Sequence, residues 1–140
     1  MKHHLFTFAI ALVTAAAHGQ QTSRKLHGWQ FIGKFEGGTV QYIDMDALKK
    51  ERGYVRTRTL VNHKTPEWSA TSKRILSSID VQYVDCKQKR FALLASAVYE
   101  CEMARCVPKE NYSYAFNESE FSPITNDSSQ AGNLYDLVCQ

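Results

Sequence analysis

Over most of this chain, hydrophobic and polar positions alternate with a period of two, which marks half-buried strands of an antiparallel sheet. From Gly28 to Phe35, Trp29, Phe31, Gly33 and Phe35 alternate with Gln30, Ile32 and Lys34, and Glu36-Gly37-Gly38 then supplies a turn. Thr39 to Asp44 repeats the pattern, with Val40 and Tyr42 on one face and Thr39, Gln41 and Ile43 on the other. Tyr54 to Asn62 sets a β-branched row, Val55, Thr57, Thr59 and Val61, against Tyr54, Arg56, Arg58 and Leu60. Ser72 to Val84 and Arg90 to Glu100 predict two long strands joined through Asp85-Cys86-Lys87-Gln88-Lys89, and Tyr112 to Phe116 predicts a further partner.

Where the alternation fails, other elements are expected. Ala47 to Arg52 are good helix formers closed by Gly53, with Asp44 or Asp46 available as a cap, and predict one or two helical turns. Pro66 interrupts the pattern, so His63 to Ser69 is expected to be a loop. Asn126-Asp127-Ser128-Ser129 carries helix-cap chemistry, and Ala131, Leu134, Leu137 and Val138 fall on one helical face, predicting a short amphipathic C-terminal helix. The fold class that follows is α+β, an antiparallel sheet with a terminal helix.

A chain of 140 residues has room for one domain. Leu5 to Ala17 is the long apolar run; its 13 residues follow Lys2 and are too few to span a bilayer, which predicts a secretory leader over residues 1–19 rather than a transmembrane segment. Ala17-His18-Gly19 fits the small-x-small cleavage rule, with Ala15-Ala16-Ala17 as the competing site, and residues 20–140 are then the folded domain. No cysteine follows the apolar run, so the expected product is periplasmic or secreted and not lipid-anchored.

Export gives the four cysteines, Cys86, Cys101, Cys106 and Cys139, a meaning: an even number outside the cytoplasm predicts disulfides. Three pairings are open. If Glu102-Met103-Ala104-Arg105 is a hairpin loop, Cys101 faces Cys106 and Cys86 is left for Cys139. Zinc at Cys101-x4-Cys106 lacks a second closely spaced ligand pair, so neither a metal nor a cofactor is expected.

Charge is unevenly spread. Residues 20–90 carry 14 Lys and Arg against 7 acids, while residues 91–140 carry 2 against 7. Arg56, Arg58, Lys73, Arg74, Lys87, Lys89 and Arg90 are the candidate contacts for an acidic partner, with Trp68 as a loop aromatic able to anchor one. The alternative is a solvated face whose cations are offset by the chain's own acidic half, within one molecule or across a homodimer. Nucleic acid is not expected, since no basic cluster interleaves with exposed aromatics outside the leader. Histidines 27 and 63 stand in no ligand or nucleophile motif and are expected to be exposed, and no nucleophile elbow, zinc-protease helix or phosphate loop occurs. The chain therefore looks non-enzymatic. A clamped Glu102 to Arg105 loop would also suit an inhibitor or accessory subunit that inserts into a cell-envelope enzyme.

Trp29 in the first strand, Val40-x-Tyr42-x-Asp44, Asp85-Cys86, Tyr99 and the terminal Val138-Cys139 occur in the order of the surface-adhesin protein E family of Gram-negative exported proteins, which this chain resembles over nearly all of residues 20–140. The resemblance implies a bent sheet of about six antiparallel strands, with the terminal helix held on it by a Cys86–Cys139 bridge. It also implies an adhesin that takes host matrix and serum proteins as partners and self-associates as a dimer. Cys101 and Cys106 are additions to the common pattern.

Overall fold

The computed structural model describes residues 28–140. The expected leader, residues 1–19, and the histidine at position 27 lie outside the described residues. Eight antiparallel strands form one sheet: β1 (Trp29–Lys34), β2 (Val40–Asp44), β3 (Lys49–Glu51), β4 (Tyr54–Trp68), β5 (Arg74–Asp85), β6 (Arg90–Tyr99), β7 (Glu110–Ser113) and β8 (Ser122–Pro123), followed by the helix α1 (Gln130–Val138). About six strands were expected and the sheet has eight: the continuous path is β1-β2-β4-β5-β6-β7, and the short strands β3 and β8, which the alternation did not mark, pair with β4 and β6.

Two local expectations give way to pairing. The helix expected over Ala47 to Arg52 is instead a 3-10 turn at Met45–Ala47 followed by β3. Helix propensity in so short a segment is weak, and a hairpin replaces it: Lys49, Lys50 and Glu51 register against Arg56, Val55 and Tyr54. Arg52 (φ 54°) and Gly53 (φ 82°) form its two-residue connection, the left-handed pair whose twist matches the strands. Nor is His63 to Ser69 a loop. β4 continues to Trp68, with a bulge between Asn62 and Glu67 that accommodates Pro66. The bulge begins where β2 ends, at the Val40–Asn62 pair, so the proline removes no hydrogen bond to β2.

The two faces of the sheet are covered differently. Ile43, Val84 and Leu134 form a buried cluster where α1 lies on the sheet, ringed by Ile32, Leu48, Val55, Tyr135, Leu137 and Val138. Ser129 caps α1 by accepting a hydrogen bond from the Gly132 N–H at 3.0 Å. A Cβ at Gly132 would lie 2.4 Å from the Asp127 carbonyl oxygen, so only glycine lets the preceding turn pack this closely. Cys86–Cys139 and Cys101–Cys106 are the two disulfides. On the opposite face, Phe116 and Phe121 strap one end through ring contacts with Tyr54 and Tyr83, 5.0 to 5.8 Å between centroids.

The Cys101–Cys106 loop covers the other end of that face and lies flat on it. Its Met103 N–H donates to the Asn62 side chain at 2.7 Å and its Ala104 N–H to the Ser77 hydroxyl at 2.9 Å. Met103 (φ 57°) and Ala104 (φ 52°) both sit in the left-handed region, a strain the disulfide and these two hydrogen bonds hold in place.

Candidate binding surface

The eight residues expected to contact a partner divide between the two ends of the sheet, separated by the length of β5. At ~3.3 Å per residue its 12 residues span roughly 40 Å. Arg56, Lys87, Lys89 and Arg90 lie near the β5–β6 turn, Arg58 lies between, and Trp68, Lys73 and Arg74 lie at the other end.

Most of the cations at the turn end are already engaged. Arg90 Nε lies 2.8 Å from Asp85 and its Nη2 3.0 Å from Glu118, with the guanidinium 4.4 Å from the Phe121 ring centroid. Lys89 lies 2.6 Å from Asp127, and Arg56 3.7 Å from Glu51. Arg58 pairs with Asp44 at 2.9 Å and stacks over Trp29 at 5.0 Å. Glu118 and Asp127 come from the acidic second half of the chain, so part of the sequence asymmetry cancels within one molecule. Lys87 is exposed and has no ion pair among the described residues.

Asp85 organises the turn. Its carboxylate accepts the N–H groups of Lys87 and Gln88 at 3.0 and 3.1 Å as well as Arg90. Burial pushes this carboxyl up, but the Arg90 guanidinium and the Gln88 and Lys87 N–H groups more than reverse it, and Asp85 titrates below the ordinary carboxylate range.

The other end is a hairpin arm. β2 stops at Asn62 and β6 at Ser77, whereas β4 and β5 continue to the pairs Glu67–Ile75 and Trp68–Arg74. Ser69 closes the tip: its N–H donates to the Lys73 carbonyl at 2.9 Å, and its hydroxyl accepts the Lys73 N–H at 3.1 Å. Glu110 at the start of β7 props the arm through the Thr71 hydroxyl and through Lys73, whose Nζ lies 3.5 Å away. The Thr71 and Tyr112 hydroxyls and the Lys73 charge hold the Glu110 carboxyl at about 2.

Trp68 is 69% exposed and Arg74, its register partner, is exposed with no acid paired to it among the described residues. Val107, 81% exposed, lies at the same end, because the Lys109 N–H bonds the Val98 carbonyl and Glu110 registers with Val98. Lys64 and Arg105 are exposed here and likewise unpaired among the described residues.

The helix-bearing face continues past α1 into a buried polar patch of Gln41, Thr57, Thr59, His63 and Gln82. His63 is therefore not the exposed loop histidine expected: continuation of β4 places it on the same face as Val61. Asp80 receives the Ser96 hydroxyl at 2.6 Å and the Ser78 hydroxyl at 3.2 Å. Burial raises its pKa, only partly offset by those hydroxyls and by His63. A raised carboxyl pKa means that the folded protein holds the proton more tightly, so ionisation opposes folding at neutral pH. Asp80→Asn, whose amide can keep both serine bonds, is expected to raise the thermal midpoint at pH 7, with the gain vanishing below about pH 4, where the aspartate is protonated in both states. Paired melts at the two pH values check this, and an equal gain at both would contradict it.

Neither Asp80 nor Glu110 stood out in the sequence as part of the site. Asp80 had a signal, a lone acid inside an alternating strand between Ser78 and Gln82. Glu110 had none, because its partners on the arm are 37 to 39 positions away.

An open meander with one terminal helix bound to it by a disulfide, and with an exposed aromatic and an exposed cation at the end of a two-stranded arm, defines a small braced sheet module. The chain belongs to the surface-adhesin protein E family, whose profile matches residues 29–140. Its fold is similar to the crystal structure of protein E from non-typeable Haemophilus influenzae, with a TM-score of 0.54 and 14% identity over 80% of this chain and 75% of that one. No curated protein matches the sequence. No helix among the described residues is long and apolar enough to cross a membrane.

Proposed function

We propose that this protein is an exported, non-enzymatic adhesin-like protein, periplasmic or secreted, that binds a host matrix or serum protein or an acidic envelope component through the arm end. Membership of an adhesin family supports the class, and one observation supports the surface: the hairpin arm carries a Trp 69% exposed beside an arginine without an acid partner. Within the residues expected from sequence, the contact set narrows to Trp68 and Arg74, with Lys73 beside them but tied to Glu110. Of the other cations, Arg56, Arg58, Lys89 and Arg90 serve internal pairs, and Lys87 lies at the far end. An inhibitor inserting the Glu102 to Arg105 loop is the less favoured reading, since that loop is laid onto Asn62 and Ser77 rather than projecting.

Truncating a central aromatic or arginine anchor commonly costs about 2 kcal/mol or more of binding free energy. Trp68→Ala and Arg74→Ala are therefore each expected to weaken binding to immobilised matrix protein by roughly 30-fold, while Lys87→Ala leaves it unchanged. Equal binding by all three variants in a surface-capture assay would remove the arm as the contact.

A further inference from the structure

We infer that the arm end is a receptor for polyanionic glycan chains, in which a sugar ring stacks on Trp68 while sulfate or carboxylate groups engage Arg74 and the free cations around it. The inference rests on the arm being the binding surface and names the chemistry of what it takes.

Trp68 and Arg74 are direct partners across the two strands, so their side chains leave the same face, with Cβ atoms about 5 Å apart. An indole flanked at that spacing by a guanidinium offers a flat apolar platform for the C–H face of a sugar and, at its edge, a fork matched to a sulfate or carboxylate. The cations available to a polymer are Arg74 on the arm, Lys64 on β4 and, on the opposite face of the sheet from Arg74, Arg105 on the disulfide-clamped loop, all exposed and unpaired among the described residues, so that a chain must pass around the edge of the arm to meet them all. Lys73 and Lys109 at the same end are tied to Glu110 and Glu100, 3.5 and 2.8 Å away. Of the acids there, Glu67, 3.2 Å from the His63 Nδ1, and Glu102 are both exposed and have no Lys or Arg partner among the described residues.

Shape favours a chain of repeated charges over the acidic surface of a folded protein. Protein interfaces seat their anchors in desolvated pockets, and the arm end offers a projecting tip instead. Two open grooves, of about 860 and 400 Å³, lie elsewhere, one between Lys34–Glu36 and the start of α1 and the other beside Phe91 and Ile124. Cations dispersed around a protruding aromatic suit a ligand that wraps the tip and meets a new anionic group every few ångströms.

The test uses the full exported chain with both disulfides intact and a heparin-derived octasaccharide, read by calorimetry and by tryptophan fluorescence. Trp68→Ala and Arg74→Ala should each weaken binding at least tenfold, and Lys87→Ala should change it less than twofold. Desulfated octasaccharide should not bind, and added salt should weaken the sulfated complex steeply. Trp68 and Arg74 are exposed, so both variants should melt with the unsubstituted protein, and a matching melt separates lost binding from lost fold. Binding that ignores desulfation, or that survives Trp68→Ala, overturns the assignment. A matrix glycoprotein treated with glycan lyases separates the two readings: capture that survives the lyases but is lost in Trp68→Ala keeps the arm as the contact and removes the glycan, whereas capture and octasaccharide binding both indifferent to Trp68 and Arg74 remove both.

Discussion

Replacing Cys86 and Cys139 together by serine should lower the unfolding free energy by about 4 kcal/mol, the largest single effect expected in this protein. The bridge spans 53 positions, and the chain-entropy model assigns that much to a closed loop of this length. Its native contribution is also local. Cys139 follows the last residue of α1, its N–H bonding the Tyr135 carbonyl at 2.9 Å, and the Tyr135 hydroxyl reaches the Cys86 carbonyl at 3.2 Å. Without the bridge, a helix of nine residues keeps only its apolar face to hold it, and so short a helix is marginal alone. Chemical denaturation should show the loss in free energy together with a larger slope, because the uncross-linked chain exposes more surface. An unchanged midpoint would mean that the helix is held by packing alone.

Leu134→Ala should cost about 3 kcal/mol. The side chain is 1% exposed and meets Ile43 and Val84, so truncation leaves a cavity between two rigid elements, a strand pair and a cross-linked helix, that cannot close on it. Combined with the cysteine replacements, the leucine effect should shrink, because a helix already detached in part exposes Leu134 before the chain unfolds. A double-mutant cycle measures this coupling, and strictly additive losses would place the bridge and the leucine in independent units.

The strands were legible in the sequence because their residues alternate in character; β5 sets Ile75, Ile79, Val81 and Tyr83 on one face against Ser78, Asp80 and Gln82 on the other. The helix was legible for the same reason, through its cap at Ser129 and its face of Leu134, Leu137 and Val138. β3 was hidden because Lys49-Lys50-Glu51 has no apolar residue, and its strand character comes entirely from pairing with Arg56 to Tyr54. The end of β4 was hidden by Pro66, whose cost depends on whether a neighbour needs the missing N–H, and that is a fact about β2. The disulfide pairing was legible only on the condition that residues 102–105 form a hairpin loop, and through the family resemblance that implies Cys86–Cys139. The basic residues stood out in the sequence, but their division between two ends did not, since charge along a chain does not report which acids return to meet it. Glu118 returns to Arg90 across 28 positions and Asp127 to Lys89 across 38.

The β5–β6 hairpin also governs which thiols can meet. Cys86 sits just past one end of the hairpin and Cys101 just past the other, with ten residues of β6, roughly 33 Å, between them. A chain delivered from its N-terminus presents these two sulfurs to an oxidant before Cys139 emerges. Once the hairpin has zipped, it works as a ruler that keeps the early pair out of bonding reach, leaving Cys101 to its near neighbour Cys106 and Cys86 as a waiting thiol until the last residues arrive. The geometry of one meander thus sets Cys86 apart from Cys101 and favours one cross-linked product of the three.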